Sequence, residues 1–325
     1  MKKLLAVILS VTMLCMIAAP AMASEAATTD TNTVAVGAIV IAADTVSEDA
    51  IYNFVSTIYE NMEAITEQHA KGAELSLAFA SSVTAVPYHP GAAKYFEEKG
   101  FPVAAVKEGA GTGTATNLTF GTGSETGTYY AYGGVLGQFV SGGTDLSITV
   151  VSSTGSQNNI EEVSAGNIQL GFTQSDVMSY AFNGERLFEE PVTNFSVVCA
   201  LYMEQVQIVT TDPSIQSVAD LAGKKVSIGA SGSGVYFNAI DCLDAYGLTE
   251  DDIDPIYQGF SDSSESLKDG KIDAAFIVAG APTTAITDLA TSKPVYLVGF
   301  DEEHVGKLIE MSPFYVAYTI PAGTY

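Results

Sequence analysis

Positive charge is scarce in this 325-residue chain: 13 Lys plus Arg stand against 38 Asp plus Glu, for a formal charge of -25. Arg186 is the only arginine. Proteins grip phosphate backbones with Lys and Arg, so a chain this acidic repels nucleic acid and anionic membrane surfaces alike. Histidine and cysteine are nearly as sparse, with three of each. His69, His89 and His304 lie outside every glycine-rich loop, and Cys199 and Cys242 show no zinc-ligand spacing. That leaves a His/Cys metal site almost no material, and no cofactor is expected. The two cysteines read as buried small hydrophobes or, in an oxidising compartment, as a disulfide.

Apolar runs long enough to suggest a membrane occur in one place only. Met1-Lys2-Lys3, the apolar run 4–19 and Ala21-Met22-Ala23 form the charged start, hydrophobic centre and A-x-A site of a secretory signal peptide cleaved after Ala23. The run is shorter than the ~20 residues a spanning helix needs. Cys15 follows bulky Met13 and Leu14 and makes a poor lipidation site. An exported protein, in the periplasm or at the outer face of the cytoplasmic membrane, is expected. With apolar residues at 47% and charged residues at 16%, the remainder can build a real core of one large or two ordinary domains.

From Leu118 onward one unit repeats: a short apolar run, a Gly/Ser/Thr-rich turn, then a helical pattern. It occurs at 118–140, 146–165 and 168–182, and again at 226–246 and 274–290 after the apolar run 206–209. Repetition of that unit predicts an α/β fold of parallel strands with crossover helices. Its resumption predicts two lobes, 117–209 and 210–313, with the chain crossing near 210–214. Ligands of open parallel sheets bind outside the carboxyl ends of the strands, where all five turns fall, so a cleft between lobes follows. Upstream, 34–42 reads as a strand. Ile51, Phe54, Val55, Ile58, Tyr59, Met62 and Ile65 recur at helical spacing after the cap Ser47, and His89-Pro90-Gly91 opens a short helix. Residues 101–116, rich in Gly, Ala and Thr, read as a linker.

The turns are the candidate site. Gly121-Thr-Gly123-Ser-Glu-Thr-Gly127 follows a strand and opens a helix, but its last glycine falls one place late for a dinucleotide fingerprint and no Gly-Lys-Ser/Thr is present. Thr154-Gly155-Ser156, Gln174-Ser175-Asp176, Ser231-Gly-Ser233-Gly234 and Ala281-Pro282-Thr283 likewise offer hydroxyls and amides at helix starts, with Pro282 read as lying in a first helical turn. Any one alone is more often just a helix cap; converging, their free N–H groups suit an anion held almost without cations. Gly229-Ala-Ser231-Gly-Ser233 nearly spells a nucleophile elbow but ends in serine, and no histidine is near in sequence. No enzyme is expected, with an exported serine hydrolase as the remote alternative.

The stretch 121–325 resembles the TAXI-type solute receptors of TRAP transporters, a branch of the bilobed periplasmic binding proteins. The likeness rests on Gly121 to Tyr130, Gly155-Ser-Gln-Asn-Asn159, Gln174-Ser-Asp176, Ser217 to Lys224, Gly232-Ser-Gly234, Gly280-Ala-Pro282 and Ile320 to Tyr325. It implies the two-lobed periplasmic-binding-protein fold, each lobe a mixed sheet flanked by helices. It also implies capture of a small organic anion, glutamate or a related dicarboxylate or amino acid, for delivery to a TRAP permease by a monomeric receptor. The receptor of an ABC importer is the alternative. The cleft residues implied by resemblance and position are Ser124, Thr126, Tyr130, Ser156, Asn159, Gln174, Ser231, Ser233, Pro282 and Thr283. Tyr130 would pack on the ligand, the Ser156 and Ser231 loops would bind carboxylate oxygens, and Asp176 would take an ammonium group. The order departs from the family's: the segment expected after Tyr325 resembles residues 31–100, including His89-Pro-Gly-Ala92, placed at the front. The chain reads as circularly permuted, with 101–116 joining the usual ends and 314–325 returning to lobe one. The strand at 34–42 should then share a sheet with that at 118–120.

Overall fold

The computed structural model describes residues 29–325; the signal peptide read at 1–23 lies outside the described residues. Two strands organise the molecule. β1 (Thr31–Ala43) and β5 (Phe195–Thr210) are buried almost throughout, which is why they read as near-continuous apolar runs rather than alternating ones. At about 3.3 Å per residue, their 13 and 16 residues carry them through both halves. They pair antiparallel, from Ala35 opposite Gln205 to Ala43 opposite Phe195.

Beside β1 lies β4 (Leu170–Gln174), antiparallel, followed in parallel by β2 (Asn117–Gly121) and β3 (Ser147–Val151). Beside β5 lies β8 (Ala274–Ala279), antiparallel, followed in parallel by β6 (Lys225–Ser227) and β7 (Asp254–Ile256). The expected lobe sheets are thus the two parallel ends of one sheet, order β3-β2-β4-β1-β5-β8-β6-β7. β1 and β2 do share it, with β4 between them. β9 (Tyr296–Val298) pairs with β5, and β10 (Val316–Ile320) pairs with residues 31–35 of β1.

Two lobes are visible in the cores. Along β1 the core changes at Gly37, with Val34 and Val36 on one side and 38–43 on the other; along β5 it changes between Tyr202 and Val206. The crossing therefore falls inside β5, upstream of 210, because an extended strand passes straight through without a loop. In 314–325, Tyr315 packs in the second core and Tyr325 against its neighbour, Phe314 meets Tyr180 of the first core, and β10 is held by residues 31–35 of β1.

Lobe one carries α1 (Glu48–Glu60), α2 (Met62–Gln68), α3 (Leu77–Ala80), α4 (Pro90–Glu98), α5 (Thr128–Gly143), α6 (Ser156–Ser164) and α7 (Ser175–Asn183). Ser47 caps α1, its Oγ accepting from Ala50 N at 3.1 Å. The single helix expected through Ile65 breaks at Asn61, at φ -120°, where α2 starts. Lobe two carries α8 (Val235–Ala245), α9 (Phe260–Lys268), α10 (Thr284–Ala290) and α11 (Glu302–Met311). Residues 101–116 are tied down more than a linker reading suggests: Gly111 N donates to Asp44 O at 2.8 Å, Lys107 N to Tyr88 O at 2.8 Å and Tyr88 N to Ala105 O at 2.9 Å. Among the described residues no helix is long and apolar enough to cross a membrane. Cys199 and Cys242 are free and buried.

Candidate functional site

Five helices start around one cavity between the lobes: α5, α6 and α7 from lobe one, α8 and α9 from lobe two. Their first turns or capping residues, Gly127-Thr128, Gly155-Ser156, Gln174, Gly234-Val235 and Gly259-Phe260, line it. Each start leaves backbone N–H groups without helical partners and a positive dipole end. The cavity holds about 50 Å³, roughly four water-sized positions. Two buried oxygens in its wall, Gln174 Oε1 and Ser233 Oγ, have no hydrogen-bond partner among the described residues. Both are free to bond a molecule that enters the cavity.

The lobes meet closely. Asn158 N donates to Gly232 O at 2.9 Å and Thr128 Oγ1 to Gly280 O at 2.9 Å. Gln174 Nε2 donates to Asn238 Oδ1 at 2.8 Å. One glycine permits the approach: at Gly234 an added Cβ would lie 1.6 Å from Gln174 Oε1, whereas Gly155 is called for by its φ of 120°, an added Cβ there meeting Ser233 Cα only at an ordinary contact distance of 3.6 Å.

Of the residues read from sequence, Ser124, Ser156, Gln174 and Ser233 line the cavity. The others do not, each for a local reason. Thr126 faces a neighbouring groove, its carbonyl accepting from Ala285 N at 3.2 Å. Tyr130 lies one residue round α5 from the cavity face, and Tyr129 occupies the wall instead. Asn159 points into lobe one, its Nδ2 donating to Thr122 O at 2.7 Å and Phe172 O at 2.8 Å. Ser231 is exposed beyond the left-handed Gly232, lining an outer groove. Pro282 is exposed and precedes α10, whose N-cap is Thr283. Thr283 is buried against Gln207 and Tyr325, its Oγ1 accepting from Gln207 Nε2 at 3.0 Å. The fifth turn is therefore the one before α9. Its signal was a glycine, Gly259, between a strand and a helical pattern.

Asp176, read as an ammonium partner, is absent from the cavity wall; its Oδ2 accepts from Asn238 Nδ2 at 2.9 Å. The carboxyl that does line the cavity is Glu204, in the middle of β5, accepting at Oε2 from Tyr129 OH at 2.6 Å. Tyr129 is itself fixed by stacking on Phe172, ring centroids 4.5 Å apart. Burial pushes Glu204 up to about 8, partly offset by that hydroxyl. The three histidines lie elsewhere: His89 caps α4, His69 packs on Tyr132 and His304 stacks on Tyr246 at 3.6 Å.

Burial pushes Asp176 up to about 7, and the charge of Asp241 adds to this. The unfolded carboxyl titrates near 3.9. Between pH ~4 and ~7 the folded state therefore binds more protons than the unfolded chain, and stability falls as pH rises through that window. His89, held down to about 4 by burial, acts oppositely, costing stability as pH falls below ~6.5. We expect Asp176→Asn to flatten the Asp176 part of the profile and to gain about 2 kcal/mol at pH 8, some half of a three-unit shift. Denaturant melts of both proteins at pH 4.5 and pH 8 test this; an equal difference at the two pH values would contradict it.

Residues 3–100 and 120–325 match the NMT1-like family. Among solved structures, part of the chain is similar to the alkanesulfonate-binding protein SsuA from Xanthomonas axonopodis pv. citri bound to MOPS, at 20% identity over 58% of this chain and 62% of that one, with a TM-score of 0.40. It is similar to the periplasmic aliphatic sulphonate binding protein SsuA from Escherichia coli at 21% identity, 57% of each chain and a TM-score of 0.37. It is also similar to holo ArgBP from T. maritima at 17% identity, over 57% of this chain and 77% of that one, with a TM-score of 0.38. The chain spans about six tenths of the length of the two SsuA proteins. The family match, in contrast, takes in nearly every residue on either side of the 101–119 segment, and the protein belongs to the NMT1-like family.

Proposed function

We propose that the protein is an extracytoplasmic solute receptor that closes its two lobes on a small organic anion of the glutamate, dicarboxylate or amino-acid class. The observation that carries this reading is the meeting of five helix amino ends, from both lobes, around one small cavity walled by the unpartnered Gln174 Oε1 and Ser233 Oγ. Dipoles and amides supply the positive potential that side chains do not, since Arg186 is spent on Asp241. A ligand that touches both lobes only when they are shut stabilises the shut state and nothing else, which is how a receptor signals occupancy. The sequence resemblance to TAXI receptors supports a TRAP permease as the recipient and the front-placed segment 31–100 as a permutation. A pull-down of the ligand-loaded protein on TRAP or ABC permease subunits would distinguish the two transporter types.

The direct test is a thermal-shift panel of dicarboxylates and amino acids. A cleft ligand at a hundredfold excess over its Kd adds about 2.7 kcal/mol, a shift of several degrees. Indifference to every acid in the panel would sink the receptor reading.

A further inference from the structure

We propose that the ligand carries an ammonium group as well as a carboxylate, and that Glu204 selects for it. This rests on the receptor reading and narrows it to amino acids and similar zwitterions.

The cavity wall carries two kinds of group: the starts of α6 and α8, with Ser156 and Ser233, offer N–H and O–H donors, and β5 presents the carboxyl of Glu204. Glu204 is buried, with 2% of its surface exposed, and is the one ionisable carboxyl in a strand whose other buried positions are apolar or carry neutral hydroxyl or amide groups. Its Oε2 is taken by Tyr129, and no hydrogen bond from the described residues reaches Oε1. A glutamine would keep the Tyr129 contact without the cost of desolvating an ionisable group. A buried carboxyl at this position is therefore accounted for by a cation that arrives from the cavity. Among the described residues no cation is hydrogen-bonded to Glu204: the titratable groups facing it are Tyr129, Tyr202, Asp176 and Lys71, and the charge of Lys71 is the smallest of the influences on its carboxyl. Lys71 is the one base among them, and its Nζ is already paired with Glu74 Oε1 at 2.5 Å.

Charge state follows. Before ligand arrives, burial keeps Glu204 largely protonated near neutral pH. An ammonium group at Oε1 favours the carboxylate, so binding an amino acid expels the proton from Glu204, whereas binding the corresponding acid without the amino group does not.

The experiment is calorimetric titration of wild type and Glu204→Gln at pH 6.5 with each common amino acid and its des-amino counterpart, L-glutamate against glutarate and L-alanine against propionate among them. The wild type is expected to bind its best amino acid about 100-fold more tightly than the matched acid, and Glu204→Gln to erase most of that ratio by weakening the amino acid alone. Should the variant fold poorly, the wild type suffices. Titration in two buffers of different ionisation heat should show release of about one proton per amino acid bound and none for the matched acid. Equal or tighter binding of the des-amino acid, or amino-acid binding without proton release, overturns the role of Glu204 while leaving the receptor intact. Binding of neither class overturns the receptor reading and this assignment together.

Discussion

Gly234→Ala should lose about 100-fold in affinity for the cleft ligand while the unliganded protein keeps its fold. The backbone at Gly234 is ordinary right-handed helix, φ -71° and ψ -22°, so alanine brings no backbone strain. What it brings is a methyl carbon 1.6 Å from Gln174 Oε1, 2.6 Å from Gln174 Cδ and 2.7 Å from Ser156 Oγ. All three atoms belong to the opposite lobe. Gln174 can swing away only by releasing Asn238 Oδ1, which costs about 1–3 kcal/mol for a buried acceptor, and overpacking adds a similar amount. About 3 kcal/mol against closure corresponds to roughly 100-fold in Kd. Opening the cleft removes the clash entirely, so the penalty falls on the closed state and not on folding. Gly134→Ala is the control: in α5 its Cβ meets nothing within 4 Å, and it should gain about 0.5–1 kcal/mol with unchanged binding. Calorimetric titration and thermal melts of both variants check the pair. Full affinity in Gly234→Ala would mean that the lobes do not need to approach this closely to hold ligand.

The features legible in the sequence were local ones. Ser47 as a cap, the repeating strand-turn-helix units and the glycine-rich helix starts are each specified within a few residues, and the loops before α5, α6, α7 and α8 all reach the cavity. Misses arose where rotation or long-range pairing decides. Tyr129 and Tyr130 differ by 100° around α5, a phase that depends on where the helix begins. Ser231 and Ser233 are two residues apart, yet the left-handed Gly232 between them sends one to solvent and one into the cavity wall. Asn159 and Asp176 are polar and inward-facing, as cleft residues would be, but Asn159 Nδ2 and Asp176 Oδ2 bond groups inside the fold, and neither residue reaches the cavity wall although the Oδ1 of each has no partner among the described residues. Glu204 carried a signal that local motif reading passes over: a lone acid in the apolar run 195–210. Its role depends on β5 crossing between lobes, which only the pairing of β1 with β5 establishes.

Arg186→Met is expected to open the receptor. The single arginine reaches from the turn after α7 to α8 of the other lobe, Nη2 donating to Asp241 Oδ1, with its guanidinium 5.1 Å from the centre of the Tyr180 ring. Its backbone is left-handed, φ 60°, a conformation costing an ordinary side chain on the order of 1 kcal/mol, so the pairing outweighs that strain. Asp241 is the buried partner, its side chain 4% exposed, and Tyr315 OH donates to its other oxygen at 2.8 Å. Tyr315 in turn accepts from Asn238, which also holds Asp176. Removing the cation leaves Asp241 charged and without its counterion in the closed state. Such a loss costs about 3–5 kcal/mol at a fully buried site and nearer 2 kcal/mol here, where the guanidinium is partly exposed. Parting the lobes rehydrates Asp241, so the molecule escapes the cost by opening. Affinity should therefore fall about 30-fold, and small-angle scattering of the ligand-free variant should show a larger radius of gyration. Arg186→Met combined with Asp241→Asn should recover most of the binding, because the stranded charge is gone. A lower melting temperature with unchanged affinity and unchanged radius would instead assign the ion pair to the fold and leave closure to the contacts around Gly234.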